Sequence, residues 1–139
     1  MNLSQNMKNE LINEINFVVK KMKDTSSLAE KLYFFSATYA IAQRIMNFEY
    51  DPELTFIHQV LQYVYNTVNG RITMIATSQQ VQAGIPNDLF ANLENSLAEL
   101  AFNIENGTDI YPQLQAMVNL AYSMTGNGYY LYLKGMLKI

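Results

Sequence analysis

Two side chains that often bind anions or transfer protons, Arg44 and His58, lie on either side of an acidic turn at residues 51–53. An arginine beside an imidazole would suit an anionic ligand. The alternative interpretation is structural: Arg44 makes a hydrogen bond that holds a loop, and His58 packs at the edge of an apolar helix face. No carboxylate lies three or four residues from Arg44, so Arg44 must reach water or a more distant carboxylate such as Glu53 or Glu94.

No catalytic or metal-binding pattern is present in the sequence. Di-iron sites of helical bundles need two Glu-x-x-His pairs, whereas this chain has 1 histidine. The chain has no cysteine, which excludes thiol catalysis and cysteine-based zinc or iron–sulfur sites. Neither a Gly-rich phosphate loop nor a nucleophile-elbow serine occurs. We therefore predict a protein that is not an enzyme and needs no metal or cofactor.

The composition is poor in charge and rich in tyrosine and methionine. Charged residues make up 15% of the chain, against about 25% in an average protein. The net charge of −3 offers no basic surface for nucleic acid. The 10 tyrosines and 8 methionines belong to residue types that are enriched at protein interfaces. A biased nucleotide composition of the source genome would give the same totals.

Aromatic and apolar residues gather toward the C-terminus. Ring stacking on nucleic-acid bases would need nearby cations, and only Lys134 and Lys138 are close in sequence. We therefore predict burial of these residues against a second copy or another protein; covering the chain's own core is the alternative. The predicted interface residues are Tyr122, Tyr129, Tyr130, Tyr132, Leu133, Met136 and Leu137.

Apolar residues recur at helical spacing along most of the chain, which predicts an all-α protein. Ser4 is the expected N-cap of a first helix that ends at residues 24–26. Ser27 and Glu30 match a capping box, in which each side chain accepts a hydrogen bond from the other residue's backbone N–H. The second helix is expected to end near residues 48–50, because a residue before proline disfavours helical angles.

The third predicted helix is the longest. Asp51 is its expected N-cap, with Pro52 at the first helical position. From Ile57 to Ile75 the apolar residues keep one helical phase, which passes unbroken through Gly70. We predict one helix from about residue 52 to residue 82, in which Gly70 costs about 1 kcal/mol relative to alanine. Two helices separated at Gly70 are the alternative.

Turn residues delimit the fourth predicted helix on both sides. Residues 83–87 are the clearest loop signal of the chain. Asn87 or Asp88 is expected to cap the helix that follows, and Gly107 is expected to end it in a left-handed conformation.

The last part of the sequence predicts one more helix and an ambiguous tail. Thr108 or Asp109 is expected to begin the fifth helix, and residues 126–128 are expected to break it. Residues 129–139 are predicted to form a short helix that is apolar on nearly every side, because no second strand is available for pairing.

These elements predict a single-domain, antiparallel helical bundle of five to six helices, which suits a chain of 139 residues. The first residues lack the basic and apolar regions of a secretory signal, and no run approaches the roughly 18 apolar residues of a membrane span. We therefore expect a cytoplasmic protein or a component of an assembled particle, with no transmembrane segment.

Two functional hypotheses follow. The first is an interaction protein that self-associates or binds another protein through tyrosine- and amide-rich helical surfaces and its apolar C-terminal segment. The second is a domain that binds an apolar or amphiphilic acid in a pocket between helices, with Arg44 at the acidic group. The pocket walls of the second hypothesis are Met46, Phe48, Phe56, Met74, Phe90, Phe102 and Met117.

Overall fold

A computed structural model describes residues 1–77, 88–126, 128 and 134–136, with only the backbone for residues 75–77. These residues form five α-helices and no strand, which confirms the all-α prediction. The predicted sixth helix falls mostly outside the described residues, although residues 134–136 form a turn with Gly135 at φ 72°. The helices are α1 (Gln5–Lys23), α2 (Leu28–Met46), α3 (Pro52–Thr77), α4 (Leu89–Asn106) and α5 (Tyr111–Tyr122).

Helix α1 begins at its predicted cap. Ser4 Oγ accepts a hydrogen bond from Met7 N–H at 3.3 Å, and this bond satisfies one of the free N–H groups of the first turn. The last turn carries lysines at 20, 21 and 23, where the helix dipole favours positive charge. The buried face is the predicted apolar stripe: Leu11, Ile12, Ile15, Val18, Val19 and Met22.

Only half of the predicted capping box forms at the start of α2. Ser27 Oγ accepts a hydrogen bond from Glu30 N–H at 3.3 Å, as expected. The reciprocal bond, from Ser27 N–H to the Glu30 carboxylate, was predicted wrongly. The hydroxyl of Thr25 lies between the two groups and bonds both of them. Thr25 Oγ1 donates to Glu30 Oε2 at 2.6 Å and accepts from Ser27 N–H at 3.2 Å. Helix α2 ends at Met46, shortly before the predicted end.

Helix α3 begins where the sequence predicts and continues through Gly70 to Thr77. Asp51 Oδ1 accepts a hydrogen bond from Leu54 N–H at 2.9 Å, which confirms Asp51 as the N-cap. No atom lies within 4 Å of the position that a Cβ at Gly70 would occupy, so the glycine is not required by close packing. The break at Gly70, the alternative prediction, does not occur. Residues 78–82 of the predicted helix lie outside the described part.

Helix α4 ends at Gly107, whose φ of 66° is the predicted left-handed conformation. The start of α5 was predicted too early. The N-cap is Ile110 rather than Thr108 or Asp109, although Asp109 Oδ1 accepts a hydrogen bond from Tyr111 N–H at 3.0 Å. Residues 108–110 lie outside any helix, so α5 begins at Tyr111.

Helix α5 also ends earlier than the predicted break at residues 126–128. Its last residue is Tyr122, and residues 123–125 form a turn in which Ser123 Oγ donates to Leu120 C=O at 2.6 Å. A Cβ at Gly128 would lie 1.6 Å from the backbone oxygen of Tyr122, so any residue with a side chain would clash there and glycine is required. The early end of α5 therefore brings Gly128 against the last turn of the helix.

The main helix contacts form a closed ring. Helix α1 packs against α2 and α4, α3 packs against α2 and α5, and α4 packs against α5. The ring order is therefore α1, α2, α3, α5, α4. Its interior holds large side chains that are fully buried, such as Phe35, Leu61 and Leu97. Each of them stabilises the fold by about 1.5–3 kcal/mol relative to an exposed position.

Hydrogen bonds identify the helix ends that meet. Met1 contacts Glu53, and Ser4 contacts Glu49, so the starts of α1 and α3 meet the end of α2. A shared pocket brings residues 107–110, between α4 and α5, to the same place. We call this end the acidic-turn end. The other end, where Lys31 of α2 contacts α1 and α4, is called the ion-pair end.

Candidate functional site

Three carboxylates at alternate positions of residues 49–53 bind the start of the chain. Asp51 is buried, and its Oδ2 accepts a hydrogen bond from Asn2 N–H at 2.6 Å while its Oδ1 caps α3. Glu49 Oε2 accepts from Ser4 N–H at 2.8 Å. Glu53 Oε1 lies 3.0 Å from the ammonium group of Met1. We call these three residues the acidic turn.

The carboxylates of the acidic turn hold the start of the chain in place. Each carboxylate is occupied by a backbone N–H or by the ammonium group, and such charge-assisted bonds are stronger than bonds between neutral groups. The hydrogen bonds from Ser4 hold the pKa of Glu49 below its usual value. A general acid needs the opposite shift, toward neutral pH. The sequence predicted only the N-cap role of Asp51, because the contacts with Asn2 and Ser4 join distant parts of the chain.

Arg44 lies at the rim of an open groove between α1 and α2. Its side chain is exposed and makes no hydrogen bond or ion pair within the described residues. The loop-holding hydrogen bond predicted for Arg44 is therefore wrong. The two suggested carboxylates have other partners, because Glu53 contacts the Met1 ammonium and Glu94 contacts Lys31.

The groove at Arg44 has a volume of about 190 Å³. Its floor is apolar, and Glu10 stands on the rim together with Arg44. A ligand with an apolar tail and an anionic group would find one favourable cation and one unfavourable carboxylate there. The apolar lining residues are Met7, Ile41, Ile45 and Phe48.

His58 does not join Arg44. It lies buried between α3 and α2, where Nε2 donates a hydrogen bond to Gln43 Oε1 at 3.2 Å. The ring of Tyr39 meets the imidazole edge-on, with 6.2 Å between centroids. The groove is lined without His58, so the predicted pairing with Arg44 is not formed. His58 instead fits the structural interpretation, as a packing residue with a satisfied ring nitrogen.

Tyr39 also packs against Tyr65 of α3, with ring centroids 5.4 Å apart. Burial and then the nearby hydroxyl of Tyr65 raise the pKa of Tyr39 above its ordinary value. A raised pKa keeps the phenol neutral at physiological pH, so Tyr39 is not activated as a base. The Tyr39–Tyr65–His58 cluster therefore acts as packing between α2 and α3.

A second groove runs between α3 and α5 and has a volume of about 310 Å³. Phe56 and Tyr111 lie across it, with ring centroids 5.6 Å apart, and are 41% and 51% exposed. Helix α5 contains no charged residue. Asp109 is the single charged residue among those that line this groove. Its other lining residues are Val60, Pro112, Leu114, Gln115 and Val118.

Two of the seven predicted interface residues lie in the described part of the chain. Tyr122, the last residue of α5, is partly buried. Met136 is exposed, with no apolar cover from the described residues. The other five, Tyr129, Tyr130, Tyr132, Leu133 and Leu137, lie outside the described residues.

The seven residues predicted to line a single apolar pocket are dispersed. Phe48 lines the groove at Arg44, and Phe56 lines the groove between α3 and α5. Phe90 and Met117 are buried in the core. Three positions remain: Met46 is packed against the core, and Met74 and Phe102 are exposed. The prediction of one common pocket is therefore wrong, because these residues lie on different helix faces.

Sequence reasoning missed the ion pair between Lys31 and Glu94. The two charged groups lie 2.9 Å apart and are both largely shielded from solvent. Lys31 Nζ also donates a hydrogen bond to Met22 C=O at the end of α1. One lysine thus connects three helices. The signal was weak, because the partners are separated by 63 positions in sequence.

A third pocket, of about 230 Å³, lies beside the acidic turn and is lined by both charged and apolar groups. Four of its lining residues bond in pairs: Asn103 Oδ1 accepts from Thr108 Oγ1 at 2.7 Å, and the Met1 ammonium contacts Glu53. All three pockets lie toward the acidic-turn end of the bundle. Nowhere in the described residues do three histidine or acidic side chains converge as a metal site.

Among the described residues, no helix is both long and apolar enough to cross a bilayer. Comparison with known proteins gives no further guide to function. No protein-family model matches the chain, and neither a curated protein nor a solved structure was found to match it.

Proposed function

We propose that this chain is a non-enzymatic protein that self-associates, as a homo-oligomer or as a subunit of a larger particle. The groove between α3 and α5 is the observation that carries this proposal. It presents Phe56 and Tyr111 to solvent beside a helix without charge. Exposed aromatic side chains at a low-charge surface are typical of protein interfaces.

The predicted C-terminal interface is included in this proposal. Tyr122 ends the helix that forms one wall of the groove, and the exposed Met136 follows it in the chain. A surface that extends from α5 into residues 129–139 would give a second copy more apolar area than the groove alone. The helix ends that meet at the acidic turn support an antiparallel arrangement of consecutive helices. Helices α3 and α5 pack against each other, so both contribute to this surface.

Light scattering at micromolar concentration tests the proposal. We expect a mass above that of the monomer, and we expect Phe56→Ser with Tyr111→Ser to lower it, because the change removes the aromatic side chains of the groove. Tyr33→Ser is the matched control, since Tyr33 is an exposed aromatic residue of α2 that does not line the groove. A monomeric mass for the unmodified chain at every concentration would refute the proposal.

Removing residues 129–139 separates the two parts of the surface. We expect the truncated chain to associate more weakly than the full chain. Its circular-dichroism spectrum should remain that of a helical protein. An unchanged mass after truncation would confine the interface to the groove. An unchanged mass after both the truncation and the groove substitutions would contradict this interface.

A specific observation favours ligand binding as the second candidate. Arg44 has no partner in the described residues and borders an apolar groove, so an amphiphilic acid could place its tail on Phe48 and its carboxylate at Arg44. A thermal-shift assay with medium-chain fatty acids tests this idea. We expect a shift that Arg44→Ala abolishes and that Lys8→Ala, at the neighbouring pocket, leaves unchanged. No shift with any fatty acid would exclude this candidate.

A further inference from the structure

The sequence contains three Asn–Gly pairs, at residues 69–70, 106–107 and 127–128. When glycine follows asparagine, the backbone nitrogen of the glycine can approach the asparagine side-chain amide, because glycine has no Cβ to obstruct it. Asn127 lies outside the described residues, so the structure allows a comparison of the first two pairs. These two pairs share the same chemistry and differ in their surroundings.

The first pair, Asn69 and Gly70, lies inside α3, which continues to Thr77. Inside a helix each backbone N–H is bonded to the carbonyl four residues earlier, and the helical angles keep the nitrogen away from the preceding side chain. The two groups can meet only if the middle of α3 opens. A helix interior opens at a higher free energy than a helix end. The fold therefore protects Asn69.

The second pair lies at a helix end. Asn106 is the last residue of α4, and Gly107 follows it with φ 66°. The N–H of Gly107 is shared between the carbonyls of Asn103 and Ile104, and its nitrogen lies 3.4 Å from the Ile104 oxygen, which is longer than an ordinary N–H···O bond. Residues 106–109 are all exposed, so water reaches the pair. The nitrogen of Gly107 is therefore weakly held at an accessible position.

Two further bonds must open before the groups can meet. Asn106 Nδ2 donates to Phe102 C=O at 2.8 Å, and Thr108 N–H donates to Asn103 C=O at 2.9 Å. Both bonds belong to the last turn of α4 and the residues that follow it, where water can take the place of a lost partner. The rearrangement that α3 prevents at Asn69 is thus available at Asn106 through local opening of a helix end.

We infer that Asn106 is a site of spontaneous deamidation and that its conversion loosens the end of α4. The backbone nitrogen of Gly107 attacks Asn106 Cγ and loses its proton to water. The new C–N bond closes a five-membered succinimide, and Nδ2 leaves as ammonia. Water then adds to one of the two ring carbonyls and opens the ring to aspartate or isoaspartate. One amide and one water become one carboxylate and one ammonium ion, so the reaction needs no enzyme, oxidant or cofactor.

The product is unfavourable where it forms. A carboxylate at position 106 lies beside Glu105 at the C-terminus of α4, where the helix dipole disfavours negative charge, and it no longer donates to Phe102 C=O. Asn106→Asp reproduces the aspartate product, and we expect it to unfold a few degrees below the unmodified chain. Asn95→Asp adds the same charge at an exposed position in the middle of α4 and should lower the unfolding temperature less. Equal decreases would overturn the loosening of α4.

Peptide mapping by mass spectrometry tests the deamidation itself. Cleavage before aspartate separates the three pairs, because peptides 51–87, 88–108 and 109–139 contain one pair each. The folded chain is incubated at mildly alkaline pH. Peptide 88–108 should then gain the mass of an amide-to-acid change, or an extra cut before position 106, at least about tenfold faster than peptide 51–87 gains that mass. In urea, where neither pair is held in a helix, the two rates should be similar.

Two glutamine variants assign the conversion to one residue. Asn106→Gln should abolish it in peptide 88–108. Asn95→Gln is the control and should leave it unchanged, because Asn95 is an exposed asparagine of the same peptide that is followed by serine. Conversion that persists in Asn106→Gln would overturn the inference. Equal rates at the first two pairs in the folded chain would also overturn it. So would a ratio of rates that stays the same in urea, because neighbouring residues rather than the helix end would then set the difference.

Discussion

The two ends of the bundle use charge in different ways. At the acidic-turn end, Glu49, Asp51 and Glu53 hold the backbone of residues 1–4, and three pockets open nearby. At the ion-pair end, Lys31 and Glu94 connect three helices away from solvent. Glu49 and Glu53 at the acidic-turn end remain partly exposed to solvent. Lys31 and Glu94 are largely shielded from solvent, so the loss of either one leaves the other charge without a partner.

This difference separates positions that hold the fold from positions that are free for binding. A largely buried charge that loses its partner has little water to replace that partner, so the ion pair constrains how α1, α2 and α4 pack. The exposed groups of the acidic-turn end can exchange a protein partner for water at small cost. Surfaces near the grooves are therefore better placed for a partner molecule than the ion-pair end is.

The largest expected effect is at the ion-pair end. Lys31→Met leaves Glu94 with neither a cation nor full access to water and removes the donor to Met22 C=O. We expect the free energy of unfolding, measured with urea, to fall by about 3 kcal/mol. Lys20→Met is the control, since Lys20 is exposed, and it should change this free energy by less than about 0.5 kcal/mol.

A double variant sharpens the same prediction. Lys31→Met with Glu94→Leu removes both charges, so no unpaired carboxylate remains in the site. We expect the double variant to be more stable than Lys31→Met alone. If Lys31→Met were as mild as Lys20→Met, the ion pair would contribute no more than a surface contact and the contrast between the two ends would be lost.

The next effect is at the acidic turn. Asp51→Ala removes the cap of α3 and leaves Asn2 N–H without its acceptor. We expect a loss of about 2 kcal/mol in the free energy of unfolding. Asp88→Ala is a matched control at the N-cap of α4, where the side chain makes no capping bond. Equal losses at Asp51 and Asp88 would contradict the role given to the acidic turn.

Most of what the sequence predicted correctly depends on a few neighbouring residues. Ser4, Asp51 and Gly107 end or begin helices through bonds or backbone angles within about one turn, so their roles are encoded locally. The helical phase through Gly70 likewise reflects α3 alone. Cap positions failed where a competing side chain was close, as when Thr25 replaced both partners of the reciprocal capping bond.

The candidate sites could not be predicted in the same way, because they depend on which helix faces meet. Arg44 and Gln43 are adjacent in α2, yet Arg44 borders a groove with α1 while Gln43 contacts His58 of α3. A helix turns by about 100° per residue, so adjacent residues serve different neighbours. The Lys31–Glu94 pair needs the ring order of the helices, which local patterns do not contain.

A smaller effect of opposite sign is expected in α3. Gly70→Ala should raise the free energy of unfolding by about 1 kcal/mol, because alanine favours a helix and no atom lies within 4 Å of the new methyl group. Gly107→Ala is the counterpart, since its φ of 66° disfavours a side chain, and it should lower stability by about 1 kcal/mol. Urea unfolding of each variant measures these changes in the free energy of unfolding. A Gly70→Ala variant that is less stable than the unmodified chain would contradict an uninterrupted α3.

The smallest expected effect is the pH dependence of Glu49, at the exposed edge of the acidic turn. Hydrogen bonds from Ser4 lower its pKa in the folded chain below the ordinary 4.5. The folded state therefore binds this proton less readily than the unfolded state. The stabilisation is complete above pH 4.5 and is lost as the pH falls through the folded-state pKa. Thermal unfolding from pH 7 to pH 3 should show Glu49→Gln below the unmodified chain at neutral pH, with the difference closing in acid. Glu105→Gln is the control, because Glu105 is exposed and makes no hydrogen bond in the described residues. Its stability difference from the unmodified chain should not change with pH in this way. The same pH-dependent difference in both variants would mean that overall charge, and not the bonds from Ser4, sets the pH dependence.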